Sequence, residues 1–123
     1  MITREYIQQH FDTLFVFGDN EARQGYGGQA ASARGEPNSV GIATKKNPGT
    51  LPWSYWKDSE YENNIAVIKR DVAYIRERMP SYAALIIFPN IGEGYAQLPE
   101  RAPKTLEFLR AEIIKLQQEF PNV

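Results

Sequence analysis

Two glycine-bearing runs and a lysine pair hold the residues of this chain best suited to act on an anionic ligand. The first run, FGDNEARQGYGGQAASARG (residues 17–35), sets Gly25, Tyr26, Gly27 and Gly28 between a β-rich segment and a small-residue helix expected to open at Gln29. Glycine lets the main chain approach a ligand closely, and the N–H groups at a helix start face an anion. The run therefore has the design of a phosphate cradle, with a tight structural turn as the alternative. No Gly-Lys-Ser/Thr follows it and G-Y-G-G differs from G-x-G-x-x-G, which excludes a P-loop and the dinucleotide fingerprint. The second run, FPNIGEGYAQLPERAPKTLEFL (residues 88–109), repeats the arrangement: a buried strand, Gly92 and Gly94 in a turn with Tyr95, then a helix opening near Pro99. Two such loops at the C-terminal ends of parallel strands converge on one crevice, and two cradles fit a diphosphate.

Other groups offer further chemistry, each with a plainer alternative. Lys45 and Lys46 close an expected strand, where side chains reach the crevice. A buried, deprotonated lysine is an amine nucleophile, an ammonium pairs with phosphate, and a solvated rim charge does neither. Asn20 suits a ribose hydroxyl or a turn cap. Glu93, between two glycines, suits a ribose hydroxyl, a base amino group, a metal or a catalytic role, against ordinary surface exposure. Trp53, Tyr55 and Trp56 either stack on a base or plug the core. Tyr26 and Tyr95, inside the loops, are better placed to flank a ligand. His10, the single histidine, has no partner at metal or triad spacing and reads as surface.

These groups must be positioned by a framework that the periodicity outlines. Thr13 to Phe17, Ser39 to Thr44 and Ala83 to Phe88 read as strands, the first and last as buried ones. Ile65, Ile68, Val72, Ile75 and Met79 form one stripe of a helix over Glu62 to Met79, stopped by Pro80. Ala102, Leu106, Leu109, Ile113, Leu116 and Phe120 form another. Helices alternating with strands predict an α/β fold in three layers, a mostly parallel sheet flanked by helices. With 123 residues the expectation is one domain over 1–123. Eight of the nine glycines fall between Gly18 and Gly41 or at Gly92 and Gly94, so flexible backbone follows strands rather than being scattered. The stretch from Lys45 to Tyr61 reads as a long loop, of a length usually functional or mobile.

Composition narrows the function classes. A formal net charge of −1 provides no global field for duplex nucleic acid. The absence of cysteine excludes a disulfide framework, a thiolate metal site and a cysteine nucleophile. No apolar run approaches the ~20 residues of a membrane span, and MITREYIQQHF does not read as a signal peptide. The expectation is a soluble, cytoplasmic protein with no resident cofactor or metal and no membrane partner.

The Asp19-Asn20 turn followed by GYGGQAASARG, and Ile91-Gly92-Glu93-Gly94 followed by Leu98-Pro99, resemble the macrodomain family, whose α/β fold binds ADP-ribose. Within it the chain is most similar to the branch of terminal ADP-ribose protein glycohydrolases and DNA-ADP-ribosylation antitoxins. The matching segments are Ile42-Ala43-Thr44-Lys45-Lys46, Tyr61-Glu62-Asn63 and Ile91-Gly92-Glu93-Gly94. The resemblance covers about Phe15 to Leu109. It implies a macrodomain-like fold, ADP-ribose or a related nucleotide as ligand, and an ADP-ribosylated macromolecule as a further partner. Asp19, Asn20, Thr44, Ile91 and the two glycine loops become ligand-binding residues, with Lys45 as the reactive lysine. The branch's acidic partner maps to Ala96, so hydrolysis would need Glu93 or Asp19 instead. That leaves open an ADP-ribosyl hydrolase of weak activity and a protein that only sequesters a nucleotide. An interaction domain, with the aromatic loop as its contact surface, is the reading from another class.

Overall fold

In the computed structural model of the chain, residues 1–121 are described. Three parallel strands, β1 (Thr13–Asp19), β2 (Ser39–Ala43) and β3 (Ala84–Ile87), form one sheet in the order β2-β1-β3. β1 is central, with Phe15 opposite Ser39 on one side and Thr13 opposite Ala84 on the other. It is buried on both faces, as expected of a strand covered by helices on each side. The expected α/β fold, a parallel sheet between two helical layers, is what the chain adopts.

One layer holds α1 (Arg4–Gln9) and α2 (Ala30–Ala33). Tyr6 of α1 meets Phe15 edge-on at 5.9 Å, and the Arg34 guanidinium lies 5.6 Å over the ring of Phe17. Strand alternation then turns Leu14 and Val16, both fully buried, toward the opposite layer. That layer holds α3 (Tyr61–Arg78) and α5 (Pro103–Glu119), packed on each other, preceded by the short α4 (Leu98–Arg101). Val67, Ile68, Val72 and Ile75 are the buried face of α3, while Ile65 is only half-buried. Leu106, Leu109 and Leu116 serve α5.

Two local features differ from the sequence reading. The polar N-terminal stretch forms α1, because Thr3 caps it by accepting a hydrogen bond from the Tyr6 N–H at 3.0 Å. The segment after Lys45 contains 3₁₀ turns at Pro52–Ser54 and Asp58–Glu60, and Lys45 forms an antiparallel bridge with Tyr55. Trp56 is the core plug of this segment, fully buried with its Nε1–H donating to Glu21 at 2.8 Å, whereas Trp53 is exposed. The start of α5 is closed from the same segment. Asp58 accepts from the backbone N–H groups of Lys104 at 2.8 Å and Thr105 at 2.9 Å. His10 is half-buried, stacked on Tyr6 with ring centroids 4.0 Å apart.

Candidate functional site

The chain leaves β1 toward α2 and leaves β3 toward the opposite helical layer, so a crevice opens beyond the C-terminal ends of these two neighbours. Gln29 spans the gap. Its Oε1 accepts from the Gly18 N–H at 2.7 Å and its Nε2 donates to the Pro89 carbonyl at 2.8 Å. Above it lies a cleft of about 320 Å³.

Both glycine loops line this cleft, through Gly25, Gly27 and Gly28 from the first and Gly92 and Gly94 from the second. They meet at Tyr95, whose Cδ2 lies 3.0 Å from where a Cβ on Gly28 would stand. With φ at +55° as well, Gly28 is a position that a side chain would strain twice over. Among the described residues, the backbone N–H groups of Gly25, Tyr26, Gly27, Gly28 and Gln29 donate to no protein acceptor. Neither do those of Gly94, Tyr95 and Ala96. Successive unpaired N–H groups in a turn form an anion-binding concavity.

The first loop is tied to β1 through arginine side chains. Arg34 donates from Nε to the Gly25 carbonyl at 2.6 Å and from Nη2 to the Gln24 carbonyl at 3.2 Å, and it pairs with both oxygens of Asp19. Arg23 adds a contact to Asp19 at 3.5 Å and one to Asp71 of α3 at 2.6 Å. Asp71 in turn accepts from the Ala43 N–H at 2.9 Å. Asp19, buried and paired with Arg34 and, more distantly, with Arg23, thus anchors the loop.

Asn20 is 7% exposed and lines the cleft. Its Nδ2 donates to the Gln24 carbonyl at 2.9 Å, which fixes the amide orientation. Its buried Oδ1 has no partner among the described residues, and an acceptor in that state costs about 1–3 kcal/mol until a donor arrives. Thr44 lines the cleft too, though its hydroxyl is committed to the Asp19 carbonyl at 3.0 Å.

The two lysines separate, as neighbours in an extended segment must. Lys45, 7% exposed, lines the cleft, with its Nζ donating to the Gly49 carbonyl at 2.8 Å. Burial lowers its ammonium below the ordinary value of 10.5, and the nearby charge of Arg101 lowers it further. Lys46 turns away to Glu60, 3.0 Å distant.

Of the remaining candidates, Tyr95 lines the cleft, whereas Tyr26, Ile91 and Glu93 do not. Ile91 is buried, with its side chain toward Gly18. Glu93 is exposed and pairs with Arg110 of α5 at 3.2 Å. Tyr26 is exposed. No local spacing marks the anchoring role of Arg34 or the bridging role of Gln29, because Arg34 meets Asp19 15 residues away and Gln29 reaches Pro89 60 residues away.

The family match covers residues 1–112. The chain belongs to DUF7831, a family of unknown function. No curated protein and no solved structure matches this DUF7831 chain.

Proposed function

We propose that the protein binds ADP-ribose or a related diphosphate nucleotide, with the diphosphate held between the two glycine loops. The observation that carries this reading is that two glycine loops, each with a run of N–H groups unpaired among the described residues, line one cleft together with the buried Lys45. Backbone amides take a phosphate without a side chain to clash, and the glycines let it approach. Asn20 Oδ1 then receives a hydrogen bond from a ribose hydroxyl, the class of donor that this acceptor lacks. Lys45 pairs with a phosphate oxygen or faces the sugar carbon.

Binding takes precedence over turnover in this reading. Asp19 is the carboxylate of the cleft and is saturated by Arg34 and Arg23, Glu93 is paired outside it, and position 96 is an alanine. A protein that sequesters a nucleotide or docks on an ADP-ribosylated macromolecule, with weak hydrolysis through Lys45 at most, fits these groups. A cytoplasmic location belongs to the same proposal.

Calorimetric titration of the wild type and Gly94→Val with ADP-ribose, ADP and AMP tests it. A Cβ on Gly94 meets nothing within 4 Å, so the variant should keep its fold. The expected result is binding of ADP-ribose and ADP well above AMP, and a loss of about tenfold or more in the variant. No binding of any of the three by the wild type would sink the reading.

A further inference from the structure

The carboxylate lining the cleft, Asp19, is paired with Arg34 and Arg23 rather than with the lysine amine, and the groups behind Lys45 supply another arrangement. Tyr55 forms the antiparallel bridge to Lys45 and is buried. Over its ring lie two cations: Lys45 Nζ at 4.4 Å from the centroid and Arg101 Cζ at 3.7 Å. Arg101 belongs to α4, directly after the second glycine loop, and is steered by a bond from its Nε to Gln97 Oε1 at 2.8 Å. Gln97 is itself held in the left-handed conformation at φ +55°. The second loop thus carries a fixed positive charge to the back of the lysine.

We propose that Arg101, stacked on Tyr55, is a positioning residue for Lys45, favouring the uncharged amine in the cleft. This deepens the proposed nucleotide site and rests on Lys45 serving it. The Tyr55 ring and the Gly49 carbonyl each favour an ammonium at Lys45, and the guanidinium of Arg101 against the same ring opposes it by like-charge repulsion. Like charge and burial both disfavour an ammonium. The direction found for Lys45 is the one both effects produce, with burial the larger.

Other charged groups around Lys45 do not oppose Arg101. Asp19 is neutralised by Arg34 and Arg23, Glu21 accepts from Trp56, and Lys46 is engaged by Glu60. Glu100, the acidic neighbour on α4, is exposed. A neutral amine is a nucleophile and an ammonium is not, so Arg101 changes what the cleft can do without touching a ligand.

Site-resolved reductive methylation with formaldehyde and cyanoborohydride, followed across pH by peptide mass spectrometry, reads the neutral fraction of Lys45 with no nucleotide present. The exposed Lys115, on α5, serves as internal standard. In Arg101→Gln the Lys45 profile should move to higher pH and labelling near neutrality should slow, while Arg101→Lys should restore the wild-type profile and Lys115 should not change. An unaltered Lys45 profile in Arg101→Gln overturns the proposal, as does an equal shift in Arg101→Lys, since the charge is then not the cause. If Arg101→Gln fails to fold, raised salt on the wild type probes the same charge. Screening of the exposed Arg101 should move the profile upward, and an unmoved profile overturns the proposal equally. Absent nucleotide binding with a shifted profile would defeat the functional reading and leave the role of Arg101 standing.

Discussion

Asp19 on β1 and Gly41 on β2 share one space: a Cβ at position 41 would stand 2.6 Å from both the Cβ and Oδ2 of Asp19. The strands hold these residues on a diagonal, Asp19 opposite Ala43 and Gly41 opposite Phe17. Only a residue without a side chain lets the carboxylate fold across β2 to reach Arg34 and Arg23. Gly41→Ala should therefore lower stability by about 1–3 kcal/mol, the scale of overpacking, measured as a lower urea midpoint at unchanged slope. A midpoint equal to wild type would show that Asp19 moves aside freely.

Gly92 and Gly94 sit two residues apart and should respond in opposite ways. A Cβ on Gly92 would meet Leu98 Cδ1 at 2.6 Å, and its φ of +89° strains any side chain. Gly92→Ala should lose about 1–2 kcal/mol or more from backbone strain alone. Gly94→Ala should melt with the wild type, and thermal unfolding of the pair compares them directly.

Lys45 and Lys46 also part company. On the proposed reading Lys45→Ala weakens ADP-ribose binding by about 1–3 kcal/mol, the scale of a charge-assisted hydrogen bond. Lys46→Ala removes a partly exposed pair with Glu60 and should change affinity little. Equal affinities for wild type and Lys45→Ala in the same titration would take Lys45 out of the site. A borohydride-trapped adduct with an ADP-ribosylated substrate, absent in Lys45→Ala, would instead make it a nucleophile.

Asp58 links stability to acid. Burial opposes its charge, but hydrogen bonds from the N–H of Lys104 and from the hydroxyl and N–H of Thr105, with the charge of Lys104, hold its carboxyl below the ordinary 3.8. A depressed carboxyl stabilises the fold above its unfolded value and loses that contribution as pH falls through the lower folded value. The cap should therefore persist to pH values under 3.8 and then fail. Asp58→Asn should lower the melting temperature at neutral pH and flatten its fall in acid, seen in melts across that range.

The strands of Thr13 and Ala83 were legible because a buried parallel strand is a continuous apolar run, and α3 and α5 because a one-sided stripe has a helical period. The cluster of glycines after two strands, with Lys45 after a third, likewise followed from local chemistry alone, as did the α/β class. Pairing decided the rest. Which lysine faces the cleft depends on the bridge between Lys45 and Tyr55, and the commitment of Asp19 depends on Arg34, 15 residues away. The orphaned oxygen of Asn20 exists only because the Gln24 carbonyl takes the amide nitrogen. Residue types and spacing determined which groups can act, whereas their charge, orientation and free valences were set by contacts between distant segments that no periodicity encodes.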